Sequence, residues 1–330
     1  MEPAPTPEEL AQASDIVDAV TDVFTSRVIG QEHLRWSLLI AMVAGGHILI
    51  ESVPGLAKTT AAKTLAAAFD ASYSRVQCTA DLMPSDIVGT QIYDFQQGGF
   101  HTQIGPVNAN FVLVDEVNRA NAKTQSALLE AMEERQITIA GQTWPLPEPF
   151  MVMATQNPIE HEGTYELPEA QVDRFMLKEV MTYPDLAGEV AIMERIETTD
   201  YRDTAAIRTP YGAEQVHYLQ QLAKRVYVDR TIKDYIARLV LATRQPSRFI
   251  QPDLARFVDF GASPRAAIGF LTAGRALALL AGRNHMLPED VVYLSKPVLR
   301  HRLILTYEAV VQNVQPETII EAIFATTPTP

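Results

Sequence analysis

The stretch Ser52-Val-Pro-Gly-Leu-Ala-Lys-Thr59 ends in a lysine and a hydroxyl, directly after the apolar run His47-Ile-Leu-Ile50. A strand that feeds a tight turn into a helix N-terminus presents free backbone N–H groups to an anion. Pro54-Gly55 would make the turn, and Val53, Leu56 and Ala57 would complete the loop. Lys58 can reach the β- and γ-phosphates of a nucleotide, the Thr59 hydroxyl can ligate Mg²⁺, and Thr60 follows in the same helical turn. The usual pattern is G-x-x-x-x-G-K-[ST], and here Ser52 and Ala57 replace its two glycines. Serine is small enough, and alanine fits if its φ is negative. The plain alternative is a buried strand-turn-helix with a solvated lysine.

Two further strand-like runs end in polar groups. Phe111-Val-Leu-Val114 leads into Asp115-Glu116. Paired carboxylates at the exit of a buried strand are a poor choice for stability alone. Asp115 could hold the Mg²⁺ shell and Glu116 could polarise an attacking water. Phe150-Met-Val-Met-Ala-Thr-Gln-Asn-Pro158 places an amide, Asn157, at a third strand end. It could sit between Glu116 and the γ-phosphate, although Asn-Pro is also an ordinary turn. Arg174 precedes a fifth strand-like run, and Arg265 opens a late helix. A guanidinium near a transferring phosphoryl group stabilises developing charge. On a surface the same residue is more often a partner for a nearby carboxylate.

The elements that would position these groups alternate. Strand-like runs at 47–51, 73–78, 111–115, 150–155 and 175–180 recur between helical patterns near 58–69, 123–134 and 186–196. That rhythm predicts an α/β core with a mainly parallel five-stranded sheet and helices on both faces. Thr6-Pro-Glu-Glu9 reads as a capping box opening a helix to about Phe24, and a second helix fits 32–43. Residues 91–106 read as an inserted β-hairpin with a glycine turn, and 137–144 as a smaller one. After about residue 200 the patterns at 214–226, 230–243, 264–282 and 288–300 all favour helix. The expected division is an N-terminal helix over 1–26, a core over 27–200 and a small all-helical domain over 201–330, with the tail from Thr326 frayed.

Composition sets outer limits. A chain of 330 residues with 47% hydrophobic and 20% charged residues is an ordinary globular protein. Its net charge of −13 is a poor match for phosphate backbones, so general nucleic-acid binding is disfavoured. Single Cys78 excludes an internal disulfide or multi-cysteine metal cluster. The N-terminus lacks the character of a signal peptide, and the run from Leu38 to Ile50 is too short to cross a bilayer. These features read as cytoplasmic.

Together the motifs resemble the AAA+ superfamily of ATPases and, within it, the MoxR family. The likeness runs from Val28-Ile-Gly-Gln31 to Val298-Leu-Arg-His-Arg302, through Met83-Pro-Ser-Asp-Ile-Val-Gly89, Asp115-Glu-Val-Asn-Arg-Ala120, Lys123-Thr-Gln-Ser-Ala-Leu-Leu-Glu-Ala-Met-Glu-Glu134, Ala154-Thr-Gln-Asn-Pro158 and Gly163-Thr-Tyr-Glu-Leu-Pro-Glu-Ala-Gln-Val-Asp-Arg-Phe175. That family commonly has alanine before the loop lysine, so only Ser52 departs; His161 stands where glutamine is expected and reads as a loop substitution.

The resemblance implies an AAA+ core followed by a helical lid, with ATP and Mg²⁺ as ligands. It implies that Val28 and Ile29 flank adenine, that Lys58 and Thr59 bind phosphate and Mg²⁺, and that Asp115 holds Mg²⁺ through its shell. Glu116 would be the base, Asn157 the first sensor, Arg174 a finger entering the neighbouring subunit's site, and Arg265 the second sensor on the lid. Arg119 would face the subunit interface. It further implies a homo-oligomeric ring, a hexamer, that remodels or activates a client protein complex together with a von Willebrand factor A domain partner. Competing readings are a magnesium-chelatase-like motor subunit, a nucleic-acid motor and a nucleotide-gated binding protein.

Overall fold

The computed structural model describes residues 3–96, 98–158, 165, 167–198 and 209–330. Up to residue 180 the described strands are β1 Ile48–Glu51, β2 Tyr73–Gln77, β3 Gly89–Asp94, β4 Gly99–Ile104, β5 Phe111–Asp115, β6 Gln136–Ile139, β7 Gln142–Pro145, β8 Met151–Gln156 and β9 Leu177–Val180. Five of them form one sheet in the order β2-β5-β8-β1-β9, with every pairing parallel. The other four pair as two antiparallel hairpins, β3–β4 and β6–β7.

The central strands are apolar on both faces because both are covered. Ile48 and Ile50, Phe111 and Leu113, and Met151 and Met153 enter one core. Leu49, Val112, Val114, Val152 and Ala154 enter the other. Each such burial stabilises by about 1.5–3 kcal/mol. On the second face lies the amphipathic helix Ala122–Glu134, whose Leu128, Leu129 and Met132 are buried. The first face carries helices Pro7–Arg27, Glu32–Val43 and Lys58–Ala68, together with the lid.

The N-terminal helix is therefore not a separate unit. Thr6 and Glu9 form the expected capping box. Ala13, Ile16, Val20 and Phe24 then share a core with the lid's Val216, Leu219 and Leu222. Glu9 also pairs with Arg225 of the lid at 2.7 Å.

The hairpin expected at 91–106 spans Gly89–Ile104. Its neck needs Gly89 and Gly105: a Cβ on either would collide with the backbone opposite, at Gln103 and Ile87. Phe95 is 90% exposed, and Tyr93 stacks edge-on against it and against Phe100, with ring centroids 5.2 and 5.1 Å apart.

The boundary expected near 200–210 lies outside the described residues, apart from Thr209 and Pro210. The lid consists mainly of helices Ala213–Arg225, Arg230–Arg244, Pro264–Leu280 and Pro316–Thr326. It is not wholly helical. Strands β10 Val258–Phe260 and β11 Ile304–Leu305 pair antiparallel, a contact between distant short segments that local patterning does not signal. The helix expected over 288–300 is two helices, Pro288–Tyr293 and Ser295–Leu299. Pro297 lacks the N–H that would bond back to Tyr293, so the break falls there. The C-terminal tail is tied down at its start: Thr327 is buried, and its hydroxyl donates to the Ile323 carbonyl at 2.8 Å.

Candidate nucleotide site

The three suspected strand ends meet at one edge of the sheet. Because β1 lies beside β8, the Ser52 amide donates to the Gln156 carbonyl at 3.0 Å, placing Asn157 next to the loop that follows β1. Asn157 is 4% exposed. β5 flanks β8 on the other side, and Thr155 of β8 links the two: its hydroxyl donates to Asp115 at 2.7 Å and accepts from the Glu116 amide at 2.9 Å. Lys58 opens its helix, and its Nζ donates to the Ser52 carbonyl at 3.4 Å.

Two backbone positions are strained. Gly55 turns the loop at φ 89°, which glycine adopts freely. Ala57 has φ 58°, the left-handed region, so the condition of a negative φ under which alanine fits freely is not met. Its methyl is tolerated at a cost of about 1–2 kcal/mol. Glu116 is also left-handed, at φ 55° and ψ 52°. Strain of this kind concentrates at functional sites, where surrounding bonds over-determine it.

The carboxylates carry partners that spacing alone did not reveal. Arg75 of β2 pairs with Asp115 at 2.6 Å. Gln77, directly beside Asp115 in the sheet, donates to Glu116 at 3.0 Å. Arg119, expected at a subunit interface, pairs with Glu116 of its own chain at 2.9 Å. The only signal for Arg75 and Gln77 was two polar groups two residues apart on an edge strand, facing the same way. Burial, reinforced by Asp115 and Glu116, pushes the Cys78 thiol up to about 12, so it stays protonated and unreactive.

Val28 and Ile29 line a cavity of about 210 Å³ with Phe24, Gly30, Gln31 and Arg35. Arg35 Nε is buried there without a hydrogen-bond partner. Among the described residues no group of three or more His, Cys, Asp or Glu side chains could hold a metal. Thr59 and Asp115 offer one hydroxyl and one carboxylate, hard oxygen donors that suit Mg²⁺ when phosphates and water complete its shell.

The two arginines are elsewhere. Met176 bonds to His47 at the start of β1 and Met181 to Glu51 at its end, so Arg174 lies beyond the edge opposite the loop. The offset is roughly 16 Å at about 3.3 Å per residue. That is too far for its side chain to reach the loop of its own chain. Arg174 pairs with Glu133 at 2.9 Å, and Arg265 pairs with the same carboxylate at 2.6 Å. The second-sensor candidate therefore stands beside the finger candidate, away from its own Lys58. His161 lies outside the described residues.

This fold and site define a nucleotide-hydrolysing core with a helical lid. The description "ATPase family associated with various cellular activities (AAA)" matches residues 47–177, and an AAA lid domain matches 253–323. The chain is 46% identical to the chaperone MoxR1 of Mycobacterium tuberculosis over 92% of its own length and 79% of that protein's. It is 32% identical to the MoxR protein of Paracoccus denitrificans, over 92% and 93%. A crystal structure of a presumed ATPase from Cytophaga hutchinsonii superposes with a TM-score of 0.91 at 41% identity, covering 98% of this chain and 97% of that one. The chain belongs to the MoxR family of AAA+ ATPases. It is a nucleotide-binding, chaperone-like ATPase. Among the described residues no helix is long and apolar enough to cross a membrane.

Proposed function

We propose that this ATPase works as a ring, a hexamer in which each subunit's site is completed by its neighbour. The observation that carries this is the placement of Arg174 and Arg265: both are held by Glu133 at the edge of the sheet opposite the phosphate loop. In this reading the loop from Val53 to Ala57, with Lys58, Thr59 and Thr60, grips the phosphates. Adenine rests on Val28 and Ile29. Mg²⁺, held by Thr59 and through water by Asp115, would neutralise charge on the phosphates. Glu116 takes the proton of the attacking water, and Asn157 orients that water toward the γ-phosphate. Arg174 of the next subunit leaves Glu133 to meet the developing charge, an effect on the order of 10³–10⁵ in rate in related chemistry. Arg265 accompanies it from the lid.

The work done is remodelling or activation of a cytoplasmic client protein complex, with a von Willebrand factor A domain protein as partner. We favour this over nucleic-acid translocation because the chain carries −13 and the Gly89–Ile104 hairpin contains no Lys or Arg. Lys58→Ala should abolish ATP binding, and Glu116→Gln should keep binding while hydrolysis falls at least about 100-fold. Calorimetry and phosphate release check both. Sustained turnover in Glu116→Gln would remove Glu116 from its role.

A further inference from the structure

The segment Val298-Leu-Arg-His-Arg302 takes no part in the nucleotide site, yet it carries a deeply buried cation. The Arg302 side chain is 2% exposed and points out of the lid at the stretch that bears Arg174. The N–H groups of that stretch are taken up within the core: Asp173, Arg174 and Phe175 bond back to Glu169, Gln171 and Val172, and Met176 to His47 beside β1. Three of its carbonyls, those of Asp173, Phe175 and Met176, go to the lid. Arg302 Nη2 donates to Asp173 O at 3.2 Å and Phe175 O at 2.7 Å, and Nη1 donates to Met176 O at 3.1 Å. Nε donates to the Asp173 carboxylate at 2.8 Å. His301 adds a bond to Phe175 O at 3.0 Å, and Ser263 Oγ donates to Asp173 at 2.8 Å.

A guanidinium is the one side chain whose planar, fixed fork can bridge three carbonyls and a carboxylate at once. Arg174 lies inside the stretch so bridged. Its backbone is flanked by the carbonyls that Arg302 holds, while its own guanidinium pairs, among the described residues, with the half-exposed Glu133. We infer that Arg302 is a positioning residue for hydrolysis in the neighbouring subunit: from the lid it sets the backbone that aims Arg174. The lid of one subunit thereby shapes the active site of the next. This rests on the reading of Arg174 as a group supplied across the ring.

The test compares Arg302→Lys, Ser263→Ala and Arg174→Ala in the full chain. Each is assayed alone and mixed in equal amounts with Glu116→Gln, by ATP affinity, kcat and thermal unfolding. Arg302→Lys keeps the charge opposite Asp173 and loses the fork. It should bind ATP within about twofold of the parent, lose at least about tenfold in kcat, and regain turnover on mixing, because Glu116→Gln subunits still present a well-placed Arg174. Adding Arg302→Lys to Arg174→Ala should cost nothing further, as expected for two residues acting as one unit. If Arg302→Lys does not give a cooperative unfolding transition, Ser263→Ala decides, with a loss of about two- to fivefold that mixing restores. An unchanged kcat overturns the inference. So does a loss that mixing fails to restore while Arg174→Ala is restored, since Arg302 would then act within its own subunit or only on folding. If Arg174→Ala itself is not restored, the shared-site reading fails and takes this one with it.

Discussion

Ala57 shows how a residue can be right for its position and still strained. A glycine is the usual occupant because the backbone there is left-handed, and at φ 58° the alanine carries the same conformation with a methyl attached. Ala57→Gly should relieve that strain, offset in part by the greater freedom of the unfolded chain. The net expectation is a gain of about 0.5–1 kcal/mol in urea denaturation. A loss of about 1 kcal/mol, as for alanine to glycine inside a helix, would show that the strain is absent. The gathering of Lys58, Thr59, Asp115, Glu116 and Asn157 at one edge of the sheet was legible because each closely follows a strand end, where sequence position predicts spatial position. Arg75, Gln77 and Thr155 were not. Their partners are set by which strand lies beside which, and β2 beside β5 is a fact of topology that no local spacing states.

Elements were legible in type and loosely in extent. All five sheet strands were expected, but β1 begins at Ile48, not His47. The imidazole explains the difference. His47 Nδ1 accepts from the Val152 amide at 2.9 Å, so Nε2 bears the hydrogen and donates to Met132 O at 3.1 Å. The side chain thus satisfies a β8 amide and joins β8 to the Ala122–Glu134 helix. Protonation would set a second N–H against the Val152 amide. Burial accordingly lowers the His47 pKa to about 4. The unfolded value is about 6.5. The unfolded chain therefore binds more protons between those values, and stability falls as pH drops through that window. The His47 share between pH 7 and pH 5 is about 2 kcal/mol. Buried His301, its pKa also depressed by burial, adds in the same direction. In urea denaturation at the two pH values, His47→Gln should reduce the parent's loss by about that amount. An identical loss in both proteins would mean the imidazole is not held neutral.

At the scale of the molecule, the division into core and lid was legible because hydrophobic periodicity changes from strands alternating with helices to helices alone. How closely the parts join was not. The N-terminal helix, the phosphate-loop helix and the lid share one hydrophobic core, which requires contacts between residues some 200 apart in the chain, such as Glu9 with Arg225. Nor could sequence show that Arg174 and Arg265, 91 positions apart, would share Glu133. That shared carboxylate, at the far edge of the sheet from Lys58, makes an isolated subunit an incomplete enzyme in our account. The most direct test mixes two variants that should each be nearly inactive, Arg174→Ala and Glu116→Gln, and measures steady-state phosphate release. If the site is built from two subunits, the mixture should recover on the order of a quarter of parental turnover, through interfaces that combine an intact Glu116 with an intact Arg174. Phosphate release no higher than that of the separate variants, with both proteins still binding ATP, would contradict it.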